Sequence, residues 1–377
     1  MSRTIVDIHI IQTVPPSNIN RDDTGSPKTA VYGGTRRARV SSQAWKRSTR
    51  DAFDSMLDTS ELGVRTRRVV ELLADEITRQ DSGLKDQAGK LAKATLEAAG
   101  IKLKAARKKD EAPDESGYLL FLSHAQVAGL AELAVSAAAA GGTVTIDKKE
   151  AKARADQKQS VDIALFGRMV ADDTELNVDA AVQVAHALSV HEASNEYDYY
   201  TAVDDHKRAD SEEDAGAGMI GTVEFNSATL YRYATVNVDR LRDTLGSDDA
   251  ARRAVEAFAR AFVTSMPSGK QNTFANRTLP DAVLVVVRDT QPISFVGAFE
   301  EALRGREQDS RIAASARRLA DYGKEVQDTY DQRPVAAWCV GVGDRAAALT
   351  ELGERTTFDV ATKAVGALVA ERMAGRA

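Results

Sequence analysis

A single cysteine, Cys339, stands in 377 residues. One thiol excludes an intrachain disulfide and any zinc site built on two or more thiolates; beside Trp338 it reads as an inert, semi-buried side chain. Long apolar runs are missing too, since no stretch approaches the roughly 18 residues of a membrane-spanning helix. The opening MSRTIVDIHI has no signal-like apolar region, so a cytoplasmic protein is expected. Nor is there an excess of positive charge: the formal net charge of −6 is the reverse of what a generally basic nucleic-acid binder carries. His186 and His191, in VAHALSVH, are five residues apart rather than four, and no carboxylate pattern completes a metal set around them. They are read as structural or surface residues. Internal repeats and low-complexity segments are also lacking.

What is present is the composition of an ordinary globular chain, 43% hydrophobic and 28% charged, long enough for one large domain or two modest ones. The charge is unevenly laid out. Between Gly33 and Arg50, six basic residues (Arg36, Arg37, Arg39, Lys46, Arg47, Arg50) meet no acidic one. On an acidic body such a stripe confines a polyanion to one positive groove.

Periodicity places that stripe. From Ile5 to Gln12, Val6, Ile8 and Ile10 alternate with Asp7 and His9, predicting a strand with one face on the core. A polar loop from Pro15 to Lys28 follows, carrying Arg21 and Lys28; a loop of this length inside a compact domain is functional or disordered. After Gly33-Gly34, Ala38 and Val40 alternate with Arg37 and Arg39. Ser41 or Ser42 is placed to cap a helix. In that helix Trp45, Thr49, Ala52, Phe53 and Met56 line one face, and Gln43, Lys46, Arg47 and Arg50 line another. A helix N-terminus flanked by cations suits phosphate.

Residues 64–110 turn helical in pattern, and the cluster Lys102–Lys109, answered at once by Asp110 and Glu111, reads as a solvated helical face. A helix is predicted over Ser123–Ala140, stopping at Gly141-Gly142, with the helical insert ending near VDIALFGRM (Val161–Met169). EYDYYTAVDD (Glu196–Asp205) and TVEFNSATLYRYATVNV (Thr222–Val238) form the arms of an extended hairpin with an acidic tip, Asp204–Gly218; Tyr197 and Tyr233 are assigned to packing at its root. A helix over Asp248–Ser265, a basic loop PSGKQNTFANRT containing Lys270, a buried strand Ala282–Val287 and a mostly helical tail from Phe295 complete the chain. The order fits an α+β fold, a ferredoxin-like βαββαβ core interrupted by insertions.

INRDD (Ile19–Asp23), VYGGTRRARVSSQAWKR (Val31–Arg47), VDIALFGRM (Val161–Met169), YYTAVDD (Tyr199–Asp205) and EFNSATLYRYATVNV (Glu224–Val238), in this order, resemble the CasC family, the repeated backbone subunit of the type I-E CRISPR Cascade complex. The resemblance runs from the first strand to the loop after Met266. It implies an RRM-like palm (1–62, 183–192 and 224–377), a helical fingers insertion (63–182) and a β-hairpin thumb (193–223). Copies would oligomerise along one guide crRNA in antiviral defence, each thumb reaching its neighbour and kinking the RNA. Phosphate contacts would leave base edges free to pair with target DNA. The implied partners are the crRNA, target DNA through it, other copies of the chain and other Cascade subunits, with no membrane and no cofactor. Arg21, Lys28, Ser41, Gln43, Lys46, Arg47 and Arg50 would grip phosphates, Met169 would wedge from the fingers, and Tyr199, Tyr200 and Thr201 from the thumb. Where a relative in that family carries a Trp-Phe pair, this chain has Tyr199-Tyr200. With Arg36, Arg37 and Arg39 from the stripe, Arg168 beside Met169, and Lys270, these make up the expected RNA-binding set.

Competing readings are a solvated face for the basic helix, a mononucleotide loop at Gly33-Gly34, which lacks the Lys-Ser/Thr of a P-loop, and plain packing for the tyrosines. An enzymatic alternative is a metal-dependent endoribonuclease cutting bound target RNA, as in type III backbone subunits, with Asp22 and Asp23 holding Mg²⁺. Arg21 and the stripe suit binding better, and no His/Lys pair stands as acid and base. The expectation is a chain with no catalytic residue and no metal.

Overall fold

The computed structural model of the protein describes residues 3–105, 113–140, 145–170, 174–202, 219–304 and 310–375. The chain divides into two units: Met1–Asp51, Val184–Thr235 and Phe258–Leu368 make one, and Ala52–Gln183, Val236–Ala257 and Val369–Ala377 the other. Each unit is assembled from separate stretches of chain, because contacts, not chain continuity, define a unit.

The first unit is organised by β1 (Ile5–Ser17) and by the strand Ala282–Arg288, whose seven residues are all buried. They pair antiparallel with Ile8 opposite Val285. The sheet runs Glu354–Arg355, Ala336–Gly341, Ala282–Arg288, β1, Met219–Asn237, Ala187–Ser189, β3 (Thr35–Val40) and β2 (Thr29–Tyr32). Taken along the chain, β1, Ala187–Ser189, Met219–Asn237 and Ala282–Arg288 stand in the spatial order fourth, first, third, second. Helix α1 (Ser42–Phe53) lies in sequence between the first two, and the helix Asp248–Thr264 between the last two.

Three expectations change here. β1 is buried on both faces, not one. Asp7 and His9 are as inaccessible as Ile8 and Ile10, because they belong to an internal polar network: Arg288 Nε donates to Asp7 at 2.9 Å, Tyr233 Oη donates to Asp7 at 2.8 Å, and the His9 ring stacks on Phe295 at 4.4 Å. Buried polar groups of this kind persist only when paired. The tail is not mostly helical either. Besides Arg311–Thr329 and Phe358–Ala374 it supplies Ala336–Gly341 and Glu354–Arg355 to the sheet, the former held by pairing with Ala282–Val287. The helix Arg311–Thr329 buries Leu319 and Ala320 in a cluster with Ile11, Tyr231, Leu284 and Phe295. Finally, α1 stops at Phe53, leaving Met56 exposed, while Trp45, Thr49 and Phe53 are wholly buried.

From the same unit the arm Glu196–Ala202 pairs with Met219–Phe225, Tyr197 facing Glu224, Tyr199 facing Thr222 and Tyr200 facing Gly221. The expected acidic tip, 204–218, lies outside the described residues.

The second unit contains α2 (Val69–Gln80), α3 (Ala88–Ala98), α4 (His124–Ala139), α5 (Lys148–Asp156) and α6 (Val161–Phe166). Its core is aliphatic: Leu73, Ile77, Leu91, Leu96, Leu122 and Leu130 form one buried cluster, supplied by helical spacings such as Val69, Val70, Leu73 and Ile77. α4 starts with a capping box, Ser123 Oγ accepting from Gln126 N and Gln126 Oε1 from Ser123 N. The lysine cluster is not a helical face where it is described, since Leu103–Lys104 pairs with Glu115–Ser116 as a short strand; residues 106–112 lie outside the description, as do Gly141 and Gly142.

Candidate nucleic-acid interface

The glycine pair is a turn. β2 and β3 pair from Thr29–Ala38 to Tyr32–Thr35, leaving Gly33 and Gly34 as a two-residue hairpin loop with φ of +56° and +71°. Two consecutive positive φ values are what a type I′ hairpin turn demands and why glycine stands at both places. A Cβ on Gly33 would lie 1.7 Å from the Glu300 carbonyl oxygen. Hairpin chemistry thus accounts for the pair without a mononucleotide.

Beyond the turn, the structure sorts the basic stripe. Arg36 is exposed and Arg39 half-buried, but Arg37 between them is fully buried. Its guanidinium donates to the Ser189 carbonyl at 2.9 Å and to those of Phe299 and Glu300 at 3.0 Å each. Arg37 is therefore withdrawn from the expected RNA contacts, being buried with both terminal nitrogens bonded to backbone carbonyls. Arg168 is corrected for the same reason: it is buried, donating to Leu176 O at 2.7 Å, Phe121 O at 3.3 Å and Gln126 Oε1 at 3.2 Å. Its neighbour Met169 is 84% exposed.

The loop after β1 is folded tightly on the sheet unit. Asn18 Nδ2 donates to Gly25 O and to Glu224 O, both at 2.9 Å. Lys28 N donates to Asn20 O, Arg39 N to Lys28 O, and Ser41 N to Asn20 Oδ1. These bonds bring Lys28, Arg39 and the start of α1 together. Ser41 is the cap, its Oγ accepting from Ala44 N at 3.2 Å, and because its side chain is buried there it too is withdrawn from the expected RNA contacts. On α1, Gln43 and Arg47 are exposed, and Lys46 and Arg50 half-buried; burial draws the Lys46 ammonium below its usual range. Arg47 has only a long contact to Asp51, 3.8 Å, and at such exposure this pair holds little energy.

His186, read from sequence as a structural or surface residue, stands at the start of α1. Ser42 N donates to its Nδ1 at 3.1 Å, so in the neutral ring Nε2 bears the proton. Partial burial, then Arg39 and Lys28, lower its pKa. Ser42 and His186 are 144 residues apart in sequence, and no local pattern links them. Its companion His191 is structural, with Nε2 accepting from Thr229 N at 3.1 Å and Nδ1 donating to Glu192 O at 2.6 Å.

Arg21 is exposed at the loop tip. Beside it Asp22 closes a turn, its Oδ1 accepting from Thr24 Oγ1 at 2.7 Å, Thr24 N at 2.9 Å and Ser26 N at 3.0 Å; the Thr24 hydroxyl foremost, with these amides, holds the carboxyl below its usual range. Asp23 is exposed. Among the described residues no three His, Cys, Asp or Glu side chains gather as a metal-ligand set. The loop 267–278 joins from the other side. A Cβ on Gly269 would meet Ile19 O at 2.4 Å, Lys270 follows in the left-handed region at φ +49°, and Phe274 packs on Phe225 at 5.8 Å between centroids.

The hairpin tyrosines divide by strand parity. Tyr197 and Tyr199 are 68% and 63% exposed, so Tyr197 is not the packing residue expected. Tyr233 is buried. Tyr200 faces the other way, and a Cβ on its cross-strand partner Gly221 would meet the Tyr200 hydroxyl oxygen at 2.4 Å; the ring lies over the glycine. Thr201 pairs with Ile220 in the backbone register.

The sheet unit therefore carries a loop, a strand and a helix that assemble cations around one helix start, a geometry suited to holding a phosphate backbone. The chain belongs to the CT1975-like protein family, whose model matches residues 6–364. It is also similar to a chain of a solved "CRISPR RNA-guided surveillance complex, pre-nicking", at 38% identity and a TM-score of 0.84 over 97% of this chain and 99% of that one. A chain of a second "CRISPR RNA-guided surveillance complex" matches at 33% identity and a TM-score of 0.73, again over 97% and 99%. No curated protein matches. The matches bear out the family resemblance drawn from the five motifs. No helix among the described residues is long and apolar enough to cross a membrane.

Proposed function

We propose that the protein is a crRNA-binding, non-catalytic backbone subunit of a type I-E Cascade complex, polymerising along the guide and presenting it to target DNA. The observation that carries this reading is the stitching of the 18–28 loop to β3 and α1. It gathers Lys28, Arg39 and the α1 cations on one surface of an otherwise acidic protein. The titles of the similar structures support a guide RNA and neighbouring subunits as partners. The fourth-first-third-second strand order supports a ferredoxin-like, RRM-like palm, and the paired arms 196–202 and 219–225 support a thumb hairpin.

The contacts proposed are Arg21, Lys28, Arg36, Arg39, Gln43, Lys46, Arg47, Arg50 and Lys270, with Met169, Tyr199, Tyr200 and Thr201 reserved for the displaced nucleotide. Replacing Lys46, Arg47 and Arg50 together by Ala is expected to weaken RNA binding and to flatten its salt dependence by roughly 0.7 in slope for each phosphate left unneutralised. A titration against salt with an unchanged slope would refute the phosphate grip. The endoribonuclease alternative has a separate test. Wild type incubated with guide, target RNA and Mg²⁺ is expected to yield no cleavage products, and Asp22→Ala with Asp23→Ala to engage target as wild type does. Products that vanish in the double variant would establish the enzyme instead.

A further inference from the structure

We infer that the His186 ring is an RNA contact in its own right, accepting the Ser42 amide at Nδ1 and donating Nε2–H to a phosphate oxygen of the bound strand; this rests on, and sharpens, the RNA-binding function proposed above. The first observation is where the ring is rooted. Ala187 stands opposite Val40 in the antiparallel pairing of Ala187–Ser189 with β3, and Ala185 N donates to Tyr233 O at 2.9 Å. His186 is therefore held between two strands, at the edge where the chain passes from β3 into α1. It is exposed there. With Ser42 N–H on Nδ1 at 3.1 Å, the neutral ring carries its proton on Nε2. That N–H has no acceptor among the described residues.

The second observation is what surrounds the ring. Amides that could hold an anion at the start of α1 are already engaged: Ser41 N donates to Asn20 Oδ1 at 2.8 Å, Ala44 N to Ser41 Oγ at 3.2 Å and Trp45 N to Ser41 O at 3.2 Å. A phosphate arriving here cannot use those N–H groups as it would at an uncapped helix. The imidazole takes up the Ser42 amide and offers another N–H at the surface, and hydrogen bonds chained in this way polarise one another. Lys28 and Arg39, joined by Arg39 N donating to Lys28 O at 2.8 Å, lie near enough to lower the ring's pKa and to draw a phosphate towards it. They also favour the neutral form, which keeps Nδ1 an acceptor; a second proton would set an N–H against that of Ser42. Two cations attract a phosphate from any direction. The ring adds a directional bond, and bonds of that kind fix the register of a strand on its protein.

The test splits the two roles of the ring in the full chain, with affinity for a single-stranded RNA measured across a salt series. His186→Asn keeps an acceptor near the place of Nδ1 and loses the donor at Nε2, whereas His186→Gln keeps a donor near Nε2. His186→Asn is expected to melt as wild type does and to weaken binding roughly 10- to 150-fold, the range for a hydrogen bond to a charged group. The salt slope should not change, because no charge is removed. His186→Gln should recover most of the affinity. Wild-type affinity in His186→Asn would reduce the ring to a helix cap and overturn the inference while leaving the phosphate grip standing. A loss accompanied by a slope lower by roughly 0.7 would make the ring a cation and overturn the neutral donor, as would equal losses in the two variants. Failure of the wild type to bind any RNA would overturn this contact and the proposed function together.

Discussion

The sheet unit buries more charge than the helical unit, where Arg168 and Asp162 are the charged side chains that are buried among the described residues. In the helical unit, Leu73, Ile77, Leu91, Leu96 and Leu130 pack as an aliphatic cluster. In the sheet unit, Asp7, His9, Arg37, Arg232 and Arg288 are buried completely or nearly so. Arg232 lies 3.6 Å over the ring of Trp45, the residue that anchors α1 from inside, and 4.6 Å over Phe262. Aliphatic contacts tolerate exchange of one hydrocarbon for another of similar volume. A buried guanidinium does not, because its donors must meet carbonyls or carboxylates at fixed places. The unit that presents the candidate RNA-binding surface is the one that buries more charged side chains in directional contacts, and the cost of those buried charges is consistent with a need for exact placement.

The comparison can be broken most forcefully at Arg288. Its Nε stands 2.9 Å from Asp7, both side chains being 1% or less exposed. Burial already lifts the Asp7 carboxyl above its usual range despite Arg288. Arg288→Met leaves that carboxyl without its cation and is expected to cost about 3–5 kcal/mol in denaturant unfolding. Adding Asp7→Asn should return part of the loss, as a double-mutant cycle would read out. A single-variant cost below about 1 kcal/mol would mean that the pair is dispensable.

In the helical unit Leu73→Ala should cost about 2–5 kcal/mol by transfer and cavity terms, whereas Leu73→Met should stay below about 1.5 kcal/mol. If the conservative swap is as damaging as the truncation, the aliphatic core is less forgiving than claimed.

His191 tests the sheet unit through pH. Burial foremost, with Arg311 and Arg37 nearby, holds its pKa down at about 4. Unfolded, it takes a proton near 6.5. Below that pH the unfolded chain binds a proton that the folded chain refuses, so stability falls as pH drops from about 6.5 to about 4, by about 3 kcal/mol in all. Unfolding curves of His191→Gln should lack this part of the decline. Parallel pH profiles for variant and wild type would show that the imidazole is not kept neutral by the fold.

The smallest effect on stability is expected at Arg47, exposed and only 3.8 Å from Asp51 at its nearest. Arg47→Ala should leave the melting temperature unchanged and lower the salt slope of RNA binding by roughly 0.7. A fall in melting temperature with no change in slope would reassign it to structure.

Much of the architecture was legible because it is periodic. The inner face of α1, marked by Trp45, Thr49 and Phe53, the apolar run Ala282–Arg288 and the helix Asp248–Thr264 all follow from local spacing. Gly33-Gly34 was legible too, had hairpin chemistry been applied to it. Arg37 was not. Strand parity set it beside Arg39, but what lies above a strand is decided by residues far along the chain, here Phe299 and Glu300. The same holds for Asp7 and His9, where polar alternation normally means solvent, and for Ala336–Gly341, an alanine-containing segment made a strand by its pairing with Ala282–Val287.

The sequence by itself determined the strongly periodic elements, the uneven charge and the family, since each is written in local patterns or in the order of motifs. Only the tertiary structure decided which cations remain free to meet a ligand. It buried Arg37 and Arg168, brought His186 to the start of α1, and turned Tyr197 outward with Tyr199 while folding Tyr200 over Gly221. The physical reason is that periodicity tells a side chain which way to point, whereas access and hydrogen-bond partners depend on contacts remote in sequence, which for His186 and Arg37 span 144 to 263 residues of chain.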